Sequence, residues 1–326
     1  MNTRLFEQLH ADGLVSDGSF EKIKNASGKE LVSLHWDIKT LLYLGVLLLS
    51  GGLGILIYKN IDTIGHQAIL VFIALICASA FFYCFKTKHP FAASKVESPN
   101  VYFDYVLLLA CLTFLSFIAY LQFQYNVFGT RYGLATFIPM LVLFFSAYFF
   151  DNLGILSLAI TNLAAWIGIT VTPSQLLKAN DFNSSTIIYM GLFLGAFLIA
   201  LAFISKIKAF KPHFEFTYAN FGTHLLFIFC LAAMFHFDDL YLLWFLLLMA
   251  LAYFFYTRAM QNKSFYFLVI TTLYTYIGMG YVVIQLLDSM RNFGMTSIYL
   301  GLIYFIASGV GLVFFLISSN RKIKAA

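Results

Sequence analysis

Apolar runs of seventeen to twenty-three residues alternate with short polar stretches along the chain, and the pattern begins near Thr40. Thr40 to Tyr58 carries no charge and leaves the apolar phase through Lys59-Asn60-Ile61-Asp62. At a rise of ~1.5 Å per residue, ~20 helical residues cross a hydrocarbon core ~30 Å thick, so this stretch predicts a transmembrane helix. Gly45, Gly51, Gly52 and Gly54 in the same run predict close helix packing, because small residues let backbones approach in lipid. The same pattern predicts ten spans, at about 40–58, 67–85, 105–122, 134–150, 153–171, 187–204, 218–235, 240–257, 265–287 and 297–317. The expected fold is all-α: a polytopic transmembrane helix bundle over 40–317, a short N-terminal cytosolic helical hairpin and interfacial helix over 1–39, and a basic cytosolic tail over 318–326.

Within residues 1–39, Leu5, Phe6 and Leu9 form an apolar stripe, Gly13 ends that turn, and Ser16 or Asp17 can cap a second helix whose Phe20 and Ile23 face back. A third helix over 29–39 is expected to lie along the membrane surface or run straight into the first span. Further along, Pro139 predicts a kink in the fourth span. Gly191 with Gly195, and Gly309 with Gly311, predict close contacts in the sixth and tenth.

Charge placement tests the span count. With a cytoplasmic N-terminus, sixteen of the twenty Lys and Arg fall on the inner side, and only Lys59, Arg131, Lys178 and Arg291 fall outside, as the positive-inside rule requires. Joining the fourth and fifth spans into one helix kinked near Gly154 would invert every later loop and destroy that bias, so Asp151-Asn152 is read as a tight hairpin with both termini cytoplasmic. Composition agrees: 61% hydrophobic and 11% charged residues, against ~25% charged in a soluble domain. The net charge of +5 therefore orients spans and does not signal nucleic acid. No signal-peptide pattern precedes the first run. Cys77, Cys84, Cys111 and Cys230 all lie in apolar runs, so neither a disulfide framework nor a thiolate metal site is expected. No cofactor motif is present.

Chemistry is sparse. The middle thirds of the spans are read as free of ionisable side chains, which argues against a proton-coupled pump. Neutral polar groups remain at depth: Asn162 with Trp166, and Thr271, Thr272, Thr275 and Tyr276. They are expected either to bond between helices or to line a pathway. The outer ends are richer, with Asn60, Asp62 and His66, then Gln122, Gln124, Tyr125, Asn126 and Arg131, then His236, Asp238 and Asp239, then Gln285, Asp288, Arg291 and Asn292. Converging, they would suit acid–base work or a divalent cation; apart, they are the polar residues interface loops need. Asp62 is expected to pair with Arg131, or failing that with Lys59 or Arg291. No HExxH, CxxC, GxSxG or phosphate-loop pattern occurs, so no enzyme class is indicated.

Several of these residues also carry a resemblance. The hairpin around Leu9-His10-Ala11-Asp12-Gly13-Leu14-Val15-Ser16, the glycine-rich first span opening with Leu44-Gly45, the exit Asn60-Ile61-Asp62, and Gln122 through Gly129 together resemble a family of bacterial predicted membrane proteins designated domain of unknown function 2157. The family exit reads Asn-Trp-Asp, so Asn60 and Asp62 match while Ile61 departs; Gln124, Tyr125 and Gly129 reproduce its Gln-aromatic-Gly segment. The likeness covers roughly residues 1–170 and implies a multi-pass protein of the bacterial inner membrane.

Three functions fit: passage of a small neutral or weakly charged solute, a membrane-anchored sensor or scaffold whose residues 1–39 bind a cytosolic partner, and an enzyme at the outer interface using His66, His236 and nearby carboxylates. The lipid bilayer is the expected surrounding in each.

Overall fold

A computed structural model describes residues 9–12, 14–21, 34–59, 65–129, 131–171, 184–289 and 295–325. They are almost wholly helical, and no strand occurs among them. The chain divides into two compact units, Met1–Ile64 and Gly65–Ala326.

The first unit holds two short helical segments, residues 9–11 and 17–21, and one long helix, α1 (Leu34–Lys59). Leu5, Phe6, Gly13 and Ile23 of the expected hairpin lie outside the described residues, and the described parts between residues 9 and 21 are held by local contacts. His10 Nε2 lies 2.8 Å from Asp17 Oδ1, the His10 ring stacks on Phe20 at 4.3 Å, and the Ser16 carbonyl accepts from Ser19 and Phe20 to open the second turn. Of the two courses expected for the third helix, α1 follows the continuous one. It enters the first span without a break.

The second unit holds nine long helices: α2 (His66–Thr87), α3 (Phe103–Tyr125), α4 (Tyr132–Phe150), α5 (Leu153–Val171), α6 (Ser185–Ile207), α7 (Phe214–His236), α8 (Tyr241–Gln261), α9 (Phe265–Ser289) and α10 (Met295–Ala325). Eight described helices are long and apolar enough to cross a membrane, and the apolar stretches Ile38–Gly52 and Leu153–Gly168 mark α1 and α5 as well. Together these are the ten spans the hydropathy pattern predicts. The protein is a helical membrane protein.

Successive helices pair as antiparallel hairpins, α2 with α3, α4 with α5, α6 with α7 and α8 with α9, and α10 packs on α9. The centre is α7, which touches α5, α6, α8 and α9. Its buried residues Thr217, Gly222, Leu226, Cys230 and Ala233 recur every three to five positions, with Tyr218, Thr223, Phe227, Leu231 and Met234 beside them. This stripe is wide enough to meet neighbours on several sides. Half of the apolar window of α7 is buried inside the unit, against 0% for α10; α7 is core and α10 is edge.

Glycine sets the tightest contact. A Cβ on Gly195 of α6 would stand 3.0 Å from the Leu226 backbone nitrogen and 3.2 Å from the Gly222 carbonyl oxygen of α7, and one on Gly191 would collide with the Phe229 ring. The small-residue pair in the sixth span therefore marks a close contact, as its spacing predicts. The Gly309 and Gly311 pair does not. An added Cβ at Gly309 meets only the Tyr276 hydroxyl at 3.9 Å, and one at Gly311 meets nothing within 4 Å, because this part of α10 borders a groove.

Candidate functional site

The α2–α3, α4–α5, α6–α7 and α8–α9 connections meet at one end of the second unit, where Lys86, Lys88, Lys95, Lys206, Lys208, Lys211, Arg258 and Lys263 also lie. At this basic end the two-residue turn Asp151-Asn152 is the hub. Asp151 takes a left-handed backbone (φ 60°) that ends α4, a conformation Asp and Asn tolerate best after glycine. The Asn152 side chain accepts from the Ile155 amide at 3.0 Å, which caps α5. The hairpin expected at this junction is thus built by its own two residues.

Its carboxylate does more. The Asp151 side chain is 2% exposed, and its Oδ1 stands 3.1 Å from Lys211 Nζ and 2.7 Å from His213 Nε2. The Val96 amide donates to its Oδ2. Lys211, with a side chain 1% exposed, is off the line of a hydrogen bond to that oxygen, so its Nζ has no aligned acceptor among the described residues. Its ammonium also faces the Phe91 ring at 4.9 Å, and its backbone amide donates to the Ala93 carbonyl at 2.7 Å. One turn away, Asp104 accepts from Asn152 Nδ2 at 2.9 Å and from Ser98 Oγ at 2.7 Å. Three connections are therefore tied together through one buried carboxylate, Asp151, and one half-buried carboxylate, Asp104. None of these residues stands out in the sequence, because the partners of Asp151 lie fifty-five to sixty-two positions away.

Beside this knot, between α6, α7, α8 and α9, a cavity of about 390 Å³ opens at the basic end. Lys206, Glu215, Arg258 and His213 stand at its charged side, and aromatic and aliphatic side chains line the rest. Lys206 Nζ pairs with Glu215 Oε1 at 3.1 Å. The Arg258 guanidinium lies on the Phe203 ring at 3.7 Å and near Phe254 at 5.3 Å.

At mid-depth, His224 overturns the expectation that the middle thirds of the spans hold no ionisable group. It stands at the centre of α7, and its Nδ1 is 2.8 Å from the Tyr274 hydroxyl of α9. The residue is visible in the sequence; the apolar neighbours Leu225, Leu226 and Phe227 mask it in any averaged profile. On α9, a groove of about 660 Å³ lies between α8, α9 and α10. It is lined by Thr271, Thr272, Thr275 and Tyr276, four of the intramembrane polar residues singled out from the sequence, together with Ser308. The Thr275 hydroxyl donates to the Thr271 carbonyl at 2.8 Å, Tyr276 meets Ser308 at 3.2 Å, and Thr271 Oγ1 is buried with no partner among the described residues. Asn162, also singled out from the sequence, sits on α5 away from this groove, its Oδ1 also buried without a partner among the described residues.

The opposite end separates into two groups. His66 Nδ1 meets the Tyr120 hydroxyl at 2.7 Å across α2 and α3. Gln122 folds the following loop, donating to Asn126 Oδ1 and to the Gly129 carbonyl and accepting from the Phe128 amide. Gln124 is half-buried and Arg131 exposed. Between α7 and α9, Asp238 accepts from the Tyr281 hydroxyl at 2.8 Å, to which Gln285 donates at 2.7 Å; His236, Asp239 and Asp288 are exposed. Asn60, Asp62 and Arg291 lie outside the described residues. No three His, Cys, Asp or Glu come together as a metal site among the described residues.

Residues 7–156 match the family model described as Predicted membrane protein (DUF2157). The N-terminal part of the chain is similar to that family. No curated protein and no solved structure matches the chain. The DUF2157 match ends four residues after Asn152, so it takes in Asp104, Asp151 and the α4–α5 turn. Lys211, His213, His224 and both cavities lie beyond it, on the part of the chain that completes the knot.

Proposed function

We propose that the protein passes a small neutral or weakly charged solute across the cytoplasmic membrane of a bacterium, with its basic end and both termini on the cytoplasmic side. The observation carrying this is the groove between α8, α9 and α10, whose polar atoms at mid-depth are hydroxyls of Thr271, Thr272, Thr275, Tyr276 and Ser308. Hydroxyls stay neutral across the physiological range and both donate and accept. Tyrosine rings offer apolar faces between them, a lining suited to polyol- or amide-bearing solutes. The unpartnered Thr271 hydroxyl supplies a donor that a bound solute would satisfy. His224, bonded to Tyr274 on the same helix α9, adds a titratable group at mid-depth, where proton relays place them. The sixteen-to-four distribution of basic residues supports the orientation.

Substituted-cysteine accessibility tests the reading. The four native cysteines are buried, so the unmodified protein is the blank. Thr275→Cys and Ser308→Cys should react with a charged, membrane-impermeant thiosulfonate added from water. Reaction only with a membrane-permeant maleimide would make the groove a lipid-filled seam and remove the basis for passage. A reporter fused after Ala326 should score cytoplasmic, and a periplasmic score would reverse the orientation.

A second reading, the sensor or scaffold, draws on the N-terminal hairpin, whose turn residue Leu14 is 73% exposed. A photo-crosslinker at position 14 should then capture a soluble protein in intact cells. The third reading, an enzyme at the outer interface, needs His66 and the α7–α9 carboxylates in one place, whereas they stand on different helix pairs.

A further inference from the structure

The cavity at the basic end is built for a different kind of molecule from the mid-depth groove. Its wall is apolar, with Ile199, Phe203, Phe254, Phe255 and Phe267 from α6, α8 and α9, while its mouth carries two cations and one carboxylate. Lys206 is already neutralised by Glu215 at 3.1 Å. Arg258 is not: no carboxylate lies within 4 Å of it among the described residues. Its plane is held instead by Phe203 and Phe254. A guanidinium stacked on aromatic faces keeps its edge N–H groups free, and that rigid fork matches a phosphate or carboxylate oxygen pair. The position matters equally. Arg258 is in the last turn of α8, at the depth where a membrane passes from hydrocarbon to headgroup.

We propose that this cavity is a binding site for a phosphate-bearing amphiphile, an anionic phospholipid whose phosphate sits on Arg258 and whose first acyl segments fill the aromatic wall. Each half of the site excludes a simpler ligand. A free phosphate would leave the apolar wall facing water, and a bare hydrocarbon would leave the stacked guanidinium with only Glu215, already paired with Lys206, as a nearby counter-charge in a partly dry site. Basic pockets between transmembrane helices take lipid headgroups for the same reason. The site is independent of the passage reading, since it involves neither the hydroxyl groove nor His224.

The test uses the full chain purified in a neutral detergent, with thermal unfolding followed in the presence of dioleoylphosphatidylglycerol, dioleoylphosphatidylcholine or inorganic phosphate. The anionic lipid should raise the midpoint by several degrees, and phosphatidylcholine and inorganic phosphate should leave it in place. Arg258→Gln should abolish the rise. Ala219→Phe, which fills the cavity while keeping both cations, should abolish it too and serves if Arg258→Gln does not fold. Equal rises with the two lipids, a rise with inorganic phosphate alone, or an undiminished rise in Ala219→Phe would overturn the proposal.

Discussion

The two ends of the second unit use the same helices and hold them by opposite means. At the basic end the polar side chains are buried, charged and long-range: Asp151 and Lys211 are 2% and 1% exposed and draw three connections together. At the other end the bonds are neutral or exposed, as in the His66–Tyr120 contact and the Asp238–Tyr281–Gln285 chain. Burying charge costs several kcal/mol per ion unless it is paired, so the basic end tolerates one arrangement of its loops. The opposite end can rearrange at small cost.

The sharpest way to break that contrast is to remove the hub. Asp151→Ala strands Lys211 in a dry site and takes away the partner of His213 Nε2. The expected loss is about 3–5 kcal/mol of unfolding free energy, read from denaturant unfolding in detergent. The double variant Asp151→Leu with Lys211→Met removes both charges and should recover much of the loss. A loss in Asp151→Ala below about 1 kcal/mol would mean that water reaches the cluster and that the ends do not differ.

Next in size is Gly195→Leu in the central α6–α7 contact. The atoms facing that position include the backbone of Gly222 and Leu226, which cannot rotate away, so the cost should be at the upper part of the ~1–3 kcal/mol usual for overpacking. Gly311→Leu is its control. With open space at that position, its stability should change by less than about 0.5 kcal/mol.

These residues also show how far the sequence could be read. Ten spans were legible because hydropathy and basic-residue placement are independent signals that agree. The α6–α7 contact was legible because glycines four apart stand on one helix face. The Gly309 and Gly311 expectation failed because residues two apart stand on different faces of a helix, and spacing says nothing of whether a neighbour covers either face. The knot was not legible. Asp151 looks like an ordinary turn residue, and only folding brings Val96, Lys211 and His213 to it. The groove was half legible: Thr271 and Thr275 were visible as neutral polar residues at depth, while Ser308 and Tyr304 on α10 were not.

A smaller effect is expected where His66 meets Tyr120. Tyr120→Phe removes a hydrogen bond at a half-buried site while keeping the ring, so stability should fall by ~0.5–1.5 kcal/mol. A fall as large as that of Asp151→Ala would mean the opposite end is locked as firmly as the basic one.

The smallest effect belongs to Tyr281→Phe, and it tests the contrast most closely because this hydroxyl, like the Asp151 carboxylate, has two side-chain partners. It donates to Asp238 Oδ1 and accepts from Gln285 Nε2. The difference is water. Asp238 is exposed, so when the hydroxyl goes its carboxylate is hydrated and loses little, whereas Lys211 has no solvent to turn to. The Tyr281 ring keeps its contact with Phe235 at 4.7 Å, so packing survives the change. Stability should therefore fall by less than about 1 kcal/mol. In a double-mutant cycle, Tyr281→Phe with Asp238→Asn should show a coupling of only a few tenths of a kcal/mol, at the low end of what contacting residues give. Coupling above about 2 kcal/mol would show that the α7–α9 outer contact is desolvated in the membrane, and the loose end would then have to be sought at α2–α3.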